Sequence, residues 1–155
     1  MRRSIVENEG RRRIRSVIDI ASFGILLIIL GFVWSQNSNL PSRTIDFFRS
    51  ISRYRNFPPY AAFPDVYDAF VLFVYMLAAW SFLLAAIKIP LGLGVSSALS
   101  SALGGAFLLA LGHFSKEYCS GALSAASAVG LLLILLGIFV IVSGLASEAW
   151  RRKAR

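Results

Sequence analysis

At 155 residues the chain has room for one domain and is short of two. With 57% apolar residues, only 15% charged residues and a mean hydropathy of +0.68, it is not an ordinary soluble domain, in which about a quarter of the residues are charged. A soluble core of this size cannot bury so much apolar surface, whereas hydrocarbon can surround it. The net charge of +8 lies in Arg and Lys residues that flank the apolar runs, which points to an anionic membrane face and away from nucleic acid. The lone cysteine, Cys119, and lone histidine, His113, exclude an internal disulfide and a haem held by two histidines of this chain.

In chain order, Arg2, Arg3, Arg11, Arg12, Arg13 and Arg15 precede the first apolar run, Val17 to Trp34. The run is long for a signal-peptide core and is followed by Ser35-Gln36-Asn37-Ser38, which has no small-x-small cleavage pattern. It reads as an uncleaved span over residues 17–35, with Trp34 at the membrane interface. A Pro-punctuated loop over residues 36–65 follows. Within it Thr44, Phe47, Phe48, Ile51 and Tyr54 recur at helical spacing, while Arg43, Arg49 and Arg53 fall elsewhere on the wheel. This pattern predicts a short amphipathic helix lying on the outer membrane surface, its rings among the headgroups.

The second span is expected over residues 66–88, with Asp65 as cap, Asp68 complementing the helix dipole and Lys88 snorkelling to the inner interface. Pro90 closes it, so the second and third spans should form a tight hairpin. The third span is expected over 91–113, followed by a polar loop SKEYCSG. The fourth is expected over 122–146, with Trp150 as its interfacial aromatic before the basic tail of Arg151, Arg152, Lys153 and Arg155. The expected fold class is an all-α integral membrane protein: a four-transmembrane-helix bundle forming a single domain over 1–155, with tails at 1–16 and 147–155. Eleven of the 16 Lys and Arg residues then fall on one side. This bias places both termini in the cytoplasm at the plasma membrane. The preference for Arg over Lys fits a prokaryotic source.

Small residues carry the remaining information. Gly92, Ser96, Ser100 and Gly104 form one row at spacing four, and Ser97, Ser101 and Gly105 a second row beside it. Gly130, Gly137 and Gly144 lie seven apart in the fourth span. Such rows let helix backbones approach closely in lipid, with a right-handed crossing expected for spacing four and a left-handed one for spacing seven. One row can serve internal packing and leave the other for assembly with a second copy or another membrane subunit.

Candidate chemistry is sparse. Asp19 pairs by position with Arg15 at i,i+4, and no charge falls at the midplane of any span. His113, Glu117 and Cys119 gather at one helix end, but at most three ligands make a poor zinc site. The aromatic set Tyr67, Phe70, Phe73, Tyr75, Trp80 and Phe82 reads first as packing surface. No span-one Glu of the small multidrug transporters is present, nor the cysteine pairs of disulfide-forming four-helix enzymes. The expectation is a non-catalytic membrane subunit, scaffold or accessory, with no cofactor, partnered by the bilayer and by other membrane subunits or itself. The alternative is an oligomeric channel or transporter whose path is lined by the serine row.

Overall fold

A computed structural model describes the backbone of residues 2–54 and 58–153, and the side chains among them except those of 2–13, 15, 54, 125, 126, 128, 143 and 145–153. The described residues are all helical or loop: α1 (Arg2–Ser35), α2 (Leu40–Tyr54), a 3-10 turn (Tyr60–Ala62), α3 (Pro64–Lys88), α4 (Val95–Cys119) and α5 (Ala125–Lys153). Three of these contain stretches long and apolar enough to cross a membrane: Ser16–Ser35, Pro64–Lys88 and Val95–Cys119. At ~1.5 Å per residue, 20 residues reach across ~30 Å of hydrocarbon. In α5 the apolar stretch among described residues is the shorter Val129–Val142.

Several boundaries differ from expectation, each for a local reason. The basic segment expected as a tail is helical: α1 begins at Arg2, because a run of Arg and Glu without Pro has no reason to stop the helix, and its membrane-length apolar stretch begins at Ser16. Asp65 is not the cap of α3. Phe63 holds that position without a side-chain hydrogen bond, and Pro64 sits at the first helical position, where its missing N–H costs nothing. The third span starts at Val95, not at 91. Gly92 and Gly94 take φ values of 65° and 91°, a left-handed region open to glycine, so Gly92 belongs to the connection and not to a helical row. Most of the expected SKEYCSG loop is the last turns of α4, and the real connection is 120–124. Ser124 Oγ accepts from the Ser127 N–H at 3.2 Å, which starts α5 in the manner of a capping serine. Helix α5 also runs through the basic tail to Lys153.

Helix α3 is central. It packs most extensively on α4 and also against α1 and α2, while α5 packs on α4. The α3–α4 hairpin is closed by small residues. Ala78 is fully buried, and Ala85 and Ala98 nearly so, together with Gly105 and Gly112. A Cβ at Gly105 would lie 3.1 Å from the Phe82 ring and 3.2 Å from the Ala78 carbonyl oxygen. One at Gly112 would lie 2.8 Å from Tyr75 Cε1. The buried small residues of α4 thus recur at Ala98, Gly105 and Gly112, every seven residues. Spacing of four, the basis for a right-handed crossing, does not describe this seam. Ser97 and Ser101 flank it, half-buried, whereas Ser96 and Ser100 are exposed. Lys88 does not snorkel outward: its Nζ donates to Ser101 Oγ across the hairpin at 2.6 Å.

A second small cluster, Ile29, Val33 and Leu40, joins α1 and α2 to the flank of α3 through Val66, Ala69 and Phe73. No large side chain among the described residues is fully buried. The molecule presents 10954 Å² of surface, against roughly 7,700 Å² for a compact soluble protein of this mass. Large apolar residues such as Ile20, Phe23, Leu133 and Ile141 are more than half exposed. In water this surface would be severely unfavourable, while in hydrocarbon it needs no protein cover.

The two faces of α4 predict different responses. Gly105→Leu forces a side chain into the Phe82 ring and the α3 backbone and should cost about 1–3 kcal/mol. Gly104→Leu meets nothing within 4 Å and should leave monomer stability unchanged or slightly raised. Thermal melts of both variants in detergent check this, and equal loss in the two would contradict the seam.

Candidate functional site

A groove lies between α1 and α3, roofed by α2. Its volume is about 380 Å³, within the ~300–1,000 Å³ common for small-molecule sites. Leu30, Val33 and Trp34 of α1 form one wall and Val66, Phe70 and Phe73 of α3 the other. Leu40, Thr44, Phe47 and Phe48 of α2 close the top. The roof follows from local sequence. Asn37 Oδ1 accepts from the Asn39 N–H at 3.0 Å, turning the chain sharply after α1. Pro41 then sits in the first turn of α2, where proline is tolerated, and Leu40, Phe47 and Phe48 fall on the face turned toward α1 and α3.

Phe47 is the anchor of the roof. Its ring meets Phe48, Phe63 and Tyr67 edge to face, with centroids 5.8, 5.6 and 5.5 Å apart. Tyr67 also stands 6.0 Å from the Tyr118 ring of α4, and its hydroxyl donates to the Pro58 carbonyl at 2.6 Å. At the rim the Arg43 guanidinium lies over the Phe63 ring at 5.8 Å and 3.8 Å from the Asp65 carboxylate. Asp68 accepts from the Tyr60 hydroxyl at 3.2 Å. Partial desolvation and that hydrogen bond hold the Tyr60 phenol above its ordinary pKa.

The groove offers almost no hydrogen bonding. Thr44 Oγ1 donates to the Leu40 carbonyl of its own helix at 2.8 Å, and the Tyr67 hydroxyl is spent on Pro58. Trp34, 47% exposed at the rim, carries the remaining side-chain donor. The groove lining is therefore almost wholly apolar.

Compared with known protein families, curated proteins and solved structures, the chain matches none.

The residues singled out from sequence divide between three places. Trp34, Phe47 and Phe48 come together around the groove. Ile51 is half-buried on the same helix, and Arg49 and Arg53 are exposed on its polar face; Arg49 lies 3.7 Å from Asp46. The Tyr54 and Trp150 side chains and residue Arg55 lie outside the described residues. Ser97, Ser101 and Gly105 border the α3–α4 seam, while Ser96, Ser100 and Gly104 lie off it. A Cβ at Gly130 or Gly137 would meet no described atom within 4 Å. Gly144 lies on the same helix, exposed. The Phe107 and Phe139 rings, 5.4 Å apart, meet between the two helices.

The aromatic set of the second span also divides. Tyr75 and Phe82 cover the glycines of α4, Tyr67, Phe70 and Phe73 line the groove, and Trp80 packs beside the Ile29–Val33–Leu40 cluster with its Nε1–H buried and unpaired. Among the described residues no three His, Cys, Asp or Glu side chains gather as a metal site, and His113 stacks at 6.0 Å on Phe114. Sequence reasoning missed the groove itself and the Arg43–Asp65 pair. The available signal was that Pro58, Pro59 and Pro64 bring the chain back so quickly that α2 has to fold over its neighbours.

Phe47→Ala should release the roof, costing about 2–4 kcal/mol of local stability. Protease cleavage at 36–39 and amide exchange within α2 should then accelerate about tenfold or more, while the α3–α4 hairpin keeps its protection. Unchanged exchange in α2 would show that the ring cluster does not hold it.

Proposed function

We propose that this chain is a non-catalytic integral membrane subunit, a scaffold or accessory component of a larger membrane complex. In this reading it crosses the plasma membrane four times as a helical bundle, the fourth crossing being α5, with both termini in the cytoplasm and α2 lying on the outer surface. The observation that carries it is the outward face of α4. Ser81 and Ser115 turn their hydroxyls onto their own helix, donating to Leu77 and Leu111 carbonyls at 2.9 and 2.8 Å, the usual way a membrane helix hides a hydroxyl. Ser96 and Ser100 make no such bond among the described residues, are exposed, and sit in line with Gly104, where a close-packed neighbour is absent. A second membrane helix pressed on this row would gain close backbone contact and accept or donate at the hydroxyls. The large exposed apolar surface of α5 is compatible with either lipid or such a partner.

The serine row also suits the second reading, an oligomeric channel or transporter with these hydroxyls lining a path between copies. Within one chain Ser101 is bonded to Lys88 across the hairpin and Ser97 is half-buried beside it, so such a path would need the exposed serines of several copies. Liposome flux separates the readings: a scaffold gives no flux above empty vesicles.

Gly104→Leu should abolish or shrink the larger complex in mild detergent without lowering the monomer's Tm, and Gly137→Leu tests α5 in the same way. Unchanged complex size in both variants would sink the assembly reading. Topology is checked in a Cys119→Ala background with an impermeant thiol reagent. Ser38→Cys should label on intact cells and Ser4→Cys only after permeabilisation, and the reverse pattern would invert the orientation.

A further inference from the structure

We infer that the groove beneath α2 is a phospholipid site, with one acyl chain between α1 and α3 and the phosphate at the Arg49–Arg53 edge of α2. Three observations lead there. First, the groove's polar side chains are already spent on backbone carbonyls: Thr44 on Leu40 and Tyr67 on Pro58. Apart from the Trp34 indole at the rim, an occupant able to hydrogen-bond would lose its water partners and gain little, so the interior selects hydrocarbon. Second, its walls are ends of two stretches long and apolar enough to cross a membrane, so the adjoining leaflet supplies the chain directly.

Third, charge at the roof is complementary to phosphate. Among its described side chains α2 carries Arg43, Arg49 and Arg53 against the single Asp46. Arg43 is turned to Asp65 of α3. Arg49 keeps only an exposed 3.7 Å contact with Asp46, and Arg53 has no acidic partner among the described residues. Phe48, 65% exposed, lines the groove, while Arg49 and Arg53 stand with Asp46 and Ser50 on the neighbouring polar face of α2, where a headgroup rounding the helix from the groove would meet them. Trp34 at the rim offers its indole N–H at the depth where an ester carbonyl would lie.

The test uses the full chain with Trp80→Phe and Trp150→Phe, leaving Trp34 as the sole fluorescent tryptophan. It is reconstituted in phosphatidylcholine vesicles with increasing fractions of phosphatidylglycerol brominated on its acyl chains. A site predicts Trp34 quenching that saturates at low mole fraction. Ala69→Phe from α3 and Thr44→Phe from α2 plug the groove from opposite sides and should each return the curve to a shallow one that follows bulk lipid. Two plugs keep the test decisive if one variant folds poorly. Arg49→Gln with Arg53→Gln should raise the half-saturating fraction about fivefold or more. Quenching that simply tracks bulk mole fraction in the parent, or that neither plug alters, overturns the site. Saturation that is indifferent to the two arginines overturns the phosphate contact and the proposal as stated.

Discussion

Helices α3 and α4 approach closely because nothing larger than hydrogen stands at Gly105 and Gly112. In a hydrocarbon solvent there is little hydrophobic gain in bringing two apolar helices together, so stability has to come from dispersion at short range. The α3–α4 seam supplies it. Ala78 is sealed completely, its carbonyl oxygen comes within 3.2 Å of where a Gly105 side chain would begin, and the rings of Tyr75 and Phe82 lie down over the glycines. Pro90 and the left-handed Gly92 and Gly94 allow the reversal that makes this contact possible over six residues, 89–94.

The other helices are placed by that hairpin. With one face of α3 committed to α4, α1 and α2 take its other flank through Ile29, Val33 and Leu40, and α5 rests on α4. Lys88 illustrates the cost of close packing. Its ammonium is drawn into the hairpin by the Ser101 hydroxyl at 2.6 Å, a charge-assisted hydrogen bond, where an unpacked helix end would have let it reach the headgroups. Trp80 illustrates the same constraint in another way, its indole N–H buried without an acceptor.

The hairpin leaves two surfaces outside its seam. On one side is the row Ser96, Ser100 and Gly104, turned away from the seam. On the other is the groove under α2, where the Phe47 ring cluster holds an amphipathic helix across two apolar walls. The groove presents hydrocarbon-compatible surface with its hydroxyls already satisfied, and the serine row presents small surface with its hydroxyls unspent. The first suits a lipid chain and the second suits a protein helix, so the two assignments rest on different physics and do not depend on each other.

Composition and periodicity determined that the chain is helical and carries membrane-length apolar stretches, because the solvent preference of a 20-residue run is a sum over its own residues. The amphipathic helix around Phe47 and the α3–α4 hairpin were legible for the same reason: helical spacing and Pro90 are local signals. Only the tertiary structure decided which small residues matter. Two rows at spacing four were visible on α4, yet burial follows Ala98, Gly105 and Gly112, since rotation of α4 about its axis is settled by the rings of α3 and not by α4 itself. The groove was likewise invisible, because its walls come from three helices and its emptiness of hydrogen-bonding capacity depends on where Thr44 and Tyr67 spend their hydroxyls. A residue's preference for hydrocarbon is written in its side chain; which neighbour it meets there is a property of the assembled helices.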